Sequence, residues 1–182
     1  MRFGRIVSAS SFKDARISQI LFLTVFLFLG VAHRDWTIRP EVVAAALITC
    51  LAVQWAFDRN FLSLRSALIS ALSLCLLLRV NALWPMVLAG AASIACKFLF
   101  RVRGKHFFNP SNFGLIAAIT LTRDAWVSPG QWGQVLWVML LVACLGGMVV
   151  HQVGRWETTG AFLAVYAGLE FARNAWLGWT LD

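Results

Sequence analysis

The chain has 182 residues, a formal net charge of +8, 60% hydrophobic residues and a mean hydropathy of +0.75. Only 13% of the residues are charged, about half the share usual in soluble domains, and they fall between long uncharged runs, which excludes an ordinary soluble domain. The positive charge therefore reads as membrane orientation and headgroup contact, not as nucleic-acid binding.

Residues 1–16 form a basic tail, predicted to lie in the cytoplasm, and residues 17–182 a single transmembrane helical domain. Ile17–Ala32 is strongly apolar. No small-x-small site closes it, so it is expected to be an uncleaved first span and not a signal peptide. Further spans are predicted near 41–57, 62–80, 82–100, 107–122, 134–151 and 159–177, most of them near the length needed to cross a bilayer. Helix is the expected state because lipid cannot satisfy an open backbone, and no barrel-like alternation is present. The predicted fold is all-α, a polytopic bundle of about six to seven spans. Arg65 and Arg79 bracket a short apolar core, so the third span is expected to be shallow or re-entrant. Asn81 leads at once into the fourth span, which implies a tight hairpin.

Counting lysines and arginines by side gives eleven inside and four outside (Arg34, Arg39, Arg79 and Arg123). With all seven segments spanning, the predicted orientation is N-terminus inside and C-terminus outside. Lys97 and Arg155 count among the inside charges. Most of the nine tryptophans, including Trp36, Trp84, Trp126, Trp132, Trp156, Trp176 and Trp179, fall near span ends, where such rings prefer to lie. Cys50, Cys75, Cys96 and Cys144 lie inside apolar runs without a CxxC pair and read as small buried residues. Ala89-Gly90-Ala91-Ala92-Ser93, and Gly160, Ala164 and Gly168 at four-residue spacing, suit close helix packing within the bundle or a homodimer face.

The least ordinary stretch is Gly104–Leu115, GKHFFNPSNFGL. Asn109 is a strong N-cap and Pro110 suits the first helical position, so a helix is predicted to start there. Capping accounts for Asn109 and Pro110. Asn112 and the bases Lys97, Arg101, Arg103, Lys105 and His106 add a second reading, an anion site at the helix start. Lys105, His106, Asn109, Ser111 and Asn112 are the candidate binding residues. Glu170 and Arg173, three apart on the last span, are expected to form an intramembrane pair, with a cation path as the other role for Glu170. His33, His106 and His151 sit at span ends and read as headgroup-facing, with bis-His haem ligation as the other arrangement. No metal-binding, P-loop or hydrolase motif is present, so no catalytic residue is assigned.

Lys105–Gly114, KHFFNPSNFG, resembles the FNP helix start of a flavoprotein membrane family. That family comprises the D subunit of the Rnf electron-transport complex (RnfD) and the B subunit of the sodium-pumping NADH:quinone oxidoreductase (NqrB). The chain is most similar to short relatives of uncertain function, such as those encoded near enediyne biosynthesis genes. Ala164–Arg173 with Leu177-Gly178 resembles the segment that follows in them. The likeness covers roughly the second half of the chain. It implies a helical fold of two pseudo-symmetric halves, similar to urea transporters, and flavin-linked electron transport. The family's covalent-FMN threonine motif is missing from Thr122–Gln131, so the implied flavin (FMN or riboflavin) or quinone would be bound non-covalently. Relatives also continue into further helices, which implies other membrane subunits or a partner half. A small-solute channel or transporter of urea-transporter-like architecture, or a ligand-free assembly subunit, are the other expectations.

Overall fold

The computed structural model describes residues 15–33, 38–127, 136–154 and 156–178. The basic tail up to Asp14, Arg34, Trp36, Trp132, Arg155, Trp179 and the 128–135 connection lie outside the described residues, as does the side chain of His33. Two compact units divide the chain, Met1–Val135 and Leu136–Asp182.

The first unit contains α1 (Ala15–His33), α2 (Pro40–Phe57), α3 (Phe61–Leu77), β1 (Leu78–Val80), α4 (Trp84–Leu99), β2 (Arg101–Val102), β3 (Lys105–His106), α5 (Pro110–Leu121) and β4 (Ala125–Val127). The second contains α6 (Leu136–Val153) and α7 (Trp156–Leu177). Among the described residues each of the seven predicted segments holds one helix. Ala15–Ala32 and Pro40–Phe57 are each long and apolar enough to cross a membrane, whereas Phe61–Leu77, Trp84–Leu99, Pro110–Leu121 and Met139–Val153 are apolar but shorter.

α5 is shorter than the other helices described: its 12 residues span about 18 Å at 1.5 Å per residue, against about 30 Å of bilayer core. The structure also holds two small antiparallel ladders that an all-α reading omits. β1 pairs with β4 in the register Leu78↔Val127, Arg79↔Trp126 and Val80↔Ala125. β2 pairs with β3 through Arg101↔His106 and Val102↔Lys105. The chain leaves α3 and α5 in extended form at one end of the unit, and each segment supplies the other's backbone partners. At the opposite end, Arg103 (φ 52°) and Gly104 (φ 79°) make the two-residue turn with consecutive positive φ that closes a β2–β3 hairpin. Arg103 is strained there, and Gly104 is not.

The core of this unit is built on small residues at four-residue spacing. Val42, Ala46, Cys50 and Gln54 are the buried stripe of α2. Pro85, Ala89, Ser93 and Lys97 are buried along α4, beside Met86, Gly90 and Ile94. Gly114, Ala118 and Thr122 continue the pattern on α5 and just past its end. Such stripes let backbones approach closely. A Cβ at Gly90 would lie 3.2 Å from Thr49 and 3.3 Å from Cys50 Sγ. One at Gly114 would collide with Ser93 Oγ and the Ala89 carbonyl oxygen. Cys50, Cys75 and Cys96 are buried as expected, but Cys144 is exposed on α6 within its own unit. None of the described residues of α7 is buried, and a Cβ at Gly160 or Gly168 would meet nothing within 4 Å.

Candidate functional site

The predicted helix start at Asn109 is formed in full. Asn109 has extended geometry (φ −67°, ψ 120°), with Pro110 at the first helical position. Its Oδ1 accepts from Ser111 N at 3.1 Å and Asn112 N at 3.4 Å, and its carbonyl accepts from Phe113 N at 3.0 Å. Pro110 has no N–H, so the cap uses every backbone donor of the first turn. An anion there would be left with the helix dipole and side chains. Lys105 and His106 stand exposed on β3 next to the tight turn, and Asn109 and Asn112 are also exposed. The phenylalanines of the motif form a ring cluster. Phe108 lies 5.7 Å from Phe100 and 5.3 Å from Phe113 between centroids, and Phe107 lies 4.8 Å from Phe108. Together with the Phe107 N–H to Phe100 carbonyl bond of 3.1 Å, these contacts fasten the hairpin to the head of α5. Apolar ring packing therefore accounts for the aromatic half of the motif.

Lys97 does not belong to this surface. It lies on α4, only 8% exposed, and its Nζ donates to Gln54 Oε1 at 2.7 Å and to Ser66 Oγ at 3.0 Å. Three helices thus meet at one cation: α2 supplies the amide, α3 the hydroxyl and α4 the amine. The Lys97 carbonyl accepts from Arg101 Nε at 2.7 Å, which fixes the last turn of α4. A buried ammonium held by neutral oxygens has its hydrogen bonds, but neither Gln54 nor Ser66 is a counter-charge, and that is costly to maintain. Such a group can hold an anion, hand on a proton or restrain the three helices. The sequence reading placed Lys97 among interface charges because it closes an apolar run. Its four-residue spacing from Pro85, Ala89 and Ser93 was the signal that it faces inward.

Arg79 is likewise buried, at 7% exposure. Its Nη1 donates to the Cys75 and Leu78 carbonyls at 2.8 and 3.0 Å, oxygens freed where α3 gives way to β1. In the second unit Arg173 Nη2 lies 3.0 Å from Glu170 Oε2, the i,i+3 pair anticipated from spacing. Both side chains are partly exposed, so the pair itself contributes little, roughly 0–1 kcal/mol outside lipid. His106 and His151 are both exposed and belong to different units. Among the described residues no group of three or more His, Cys, Asp or Glu could hold a metal ion.

Comparison of the chain with protein-family models, with curated proteins and with solved structures finds no match.

Proposed function

We propose that the chain is an integral membrane protein and serves as a helical subunit of a flavin-linked electron-transport assembly in a bacterial cytoplasmic membrane. One observation carries the membrane reading: polarity in the first unit is distributed inside out. Leu21, Phe28 and Ile48 are 64%, 69% and 66% exposed on α1 and α2, while Gln54, Ser70, Ser93 and Lys97 are buried. Large apolar side chains exposed on the outside of a unit with polar groups buried inside it are unfavourable in water and suited to lipid. Basic residues gather at the end holding Arg16, Arg59, Arg65, Arg101, Arg103 and Lys105, in keeping with a cytoplasmic N-terminus. The electron-transport half of the reading rests on the likeness of 105–114 and 164–178 to the RnfD/NqrB family, with flavin or quinone held without a covalent link.

The test is an absorption spectrum of detergent-purified chain before and after denaturation, with fluorescence of any released pigment. Stoichiometric flavin freed on unfolding is the expected result. A colourless protein, purified with its lipids and partners retained, would sink the electron-transport reading.

The Lys97 node favours a second reading, a small-solute channel or transporter. An inward-facing cation with neutral hydrogen-bonding neighbours is what a polar solute crossing the bundle would meet. Flux of small neutral and anionic solutes into liposomes, lost on Lys97→Met, is its expected signature.

A further inference from the structure

Residues 99–109 are exposed without interruption, yet the run contains large apolar side chains, among them Leu99 at 68%, Val102 at 61% and Phe107 at 71% exposure. Its centre is the β2–β3 hairpin, neither strand of which is buried. A two-stranded hairpin is at best marginally stable in water on its own, and nothing in the unit covers this one. Val102 stands directly opposite Lys105 in the ladder, so an apolar side chain and a base share one face of the pair. The Phe107 N–H to Phe100 carbonyl bond of 3.1 Å continues the pairing toward the helices.

The charge of the hairpin is also one-sided. No Asp or Glu occurs in the sequence from 59 to 123. Arg101 is engaged within the unit, its guanidinium carbon 4.9 Å from the Phe98 ring centroid and its Nε on the Lys97 carbonyl. Arg103, Lys105 and His106 form no ion pair among the described residues. Arg103 also sits at φ 52° before Gly104, a turn position that favours Asn. Arginine is unfavourable for the turn, and no ion pair offsets it.

The far ends of α4 and α5 are tied together by the β1–β4 ladder and by the Asn81 N–H to Asp124 carbonyl bond of 2.9 Å. From there the 16 residues of α4 rise about 24 Å and α5 about 18 Å, against a hydrocarbon core of about 30 Å. Spans this short are accommodated by a thinned bilayer and by flanking residues that reach for the interface. The hairpin joining their near ends therefore falls at the boundary between acyl chains and headgroups.

We infer that the β2–β3 hairpin is an interfacial anchor for anionic lipid, with Arg103 and Lys105 on headgroup phosphate and Val102 and Phe107 in the acyl boundary. Basic and apolar side chains side by side are the composition that binds an anionic membrane surface. Lipid phosphate is favoured over a soluble anion because the exposed apolar side chains call for hydrocarbon, and the Asn109 cap occupies the first-turn N–H groups. The inference rests on the membrane reading above.

The experiment uses the full chain. Resistance to alkaline extraction is read in phosphatidylcholine liposomes with and without phosphatidylglycerol. Retention of phosphatidylglycerol against phosphatidylcholine is then read by native mass spectrometry from neutral detergent. The parent should resist extraction and retain phosphatidylglycerol preferentially. Arg103→Asn, which suits the turn, should lower that preference about fivefold, and Lys105→Gln added to it about thirtyfold, at about 1 kcal/mol per base. Arg123→Gln, beyond the other end of α5, should leave it unchanged. A chain released by alkali from both liposomes overturns the membrane reading and the inference with it. A chain that stays integrated but shows no preference, or loses as much on Arg123→Gln as on Arg103→Asn, overturns the hairpin anchor alone. A preference that survives Arg103→Asn with Lys105→Gln also overturns it, and leaves the hairpin's charge to an acidic protein segment.

Discussion

Gly114→Ala tests the closest helix contact in the first unit. Alanine is the better helix former by about 1 kcal/mol, so in isolation the change would stabilise α5. The new methyl, however, would collide with Ser93 Oγ and the Ala89 carbonyl oxygen on α4. The hydroxyl can rotate away, but the carbonyl belongs to the α4 backbone and cannot. Relief requires α5 to move off α4, loosening Ala118 and Leu115 from the core they share with Ala89 and Ile94. Overpacking of this kind costs about 1–3 kcal/mol. With the upper end applying where backbone is the obstacle, the net loss is about 2 kcal/mol. Gly160→Ala is the matched control, because a Cβ there meets nothing within 4 Å; it should gain up to about 1 kcal/mol. Unfolding of each variant in micelles, followed by circular dichroism against denaturing detergent or temperature, measures the difference. If Gly114→Ala proves as stable as Gly160→Ala, the α4–α5 packing described here is wrong.

Other substitutions probe neighbouring features. Ser93 is fully buried and its Oγ has no hydrogen-bond partner, unlike Ser70 and Ser73, which bond back to Ser66 and Ile69 carbonyls at 3.2 and 2.8 Å. Ser93→Ala should therefore raise stability by about 1 kcal/mol in the same unfolding assay. Asn109→Ala should lower it by about 1 kcal/mol through the lost cap, whereas Asn109→Asp should largely retain it. Gln54→Leu strips Lys97 of its amide partner and should cost about 1–3 kcal/mol. Lys97→Met removes the buried charge itself and should leave stability within about 1 kcal/mol of the parent or above it. A larger loss in Lys97→Met would mean that the ammonium holds the three helices together.

Hydropathy revealed α1 to α6 because each contains a local apolar run, and the start of α5 was legible because a cap is decided by four consecutive residues. Burial of Lys97 was not legible in the same way. Its hydrogen-bond partner Gln54 is 43 positions away, and a lysine closing an apolar run looks the same whether it faces headgroups or a neighbouring helix. Burial of Arg79 was hidden for a related reason. The extended residues 78–80 read as the tail of a span, and only their pairing with Ala125–Val127 turns Arg79 into a buried group. The four-residue stripes through Ala46, Ala89 and Gly114 were present in the sequence, yet a small residue in an apolar run becomes informative only once the facing helix is known.

The central claim is that the exposed apolar faces of the first unit meet lipid while its polar residues face inward. Collisional accessibility of a spin label at Ile48, introduced as Ile48→Cys in a cysteine-free background and reconstituted in liposomes, tests it most directly. The account predicts strong relaxation by oxygen, which partitions into hydrocarbon, and little by a water-soluble nickel chelate. Stronger relaxation by the nickel chelate than by oxygen would contradict it.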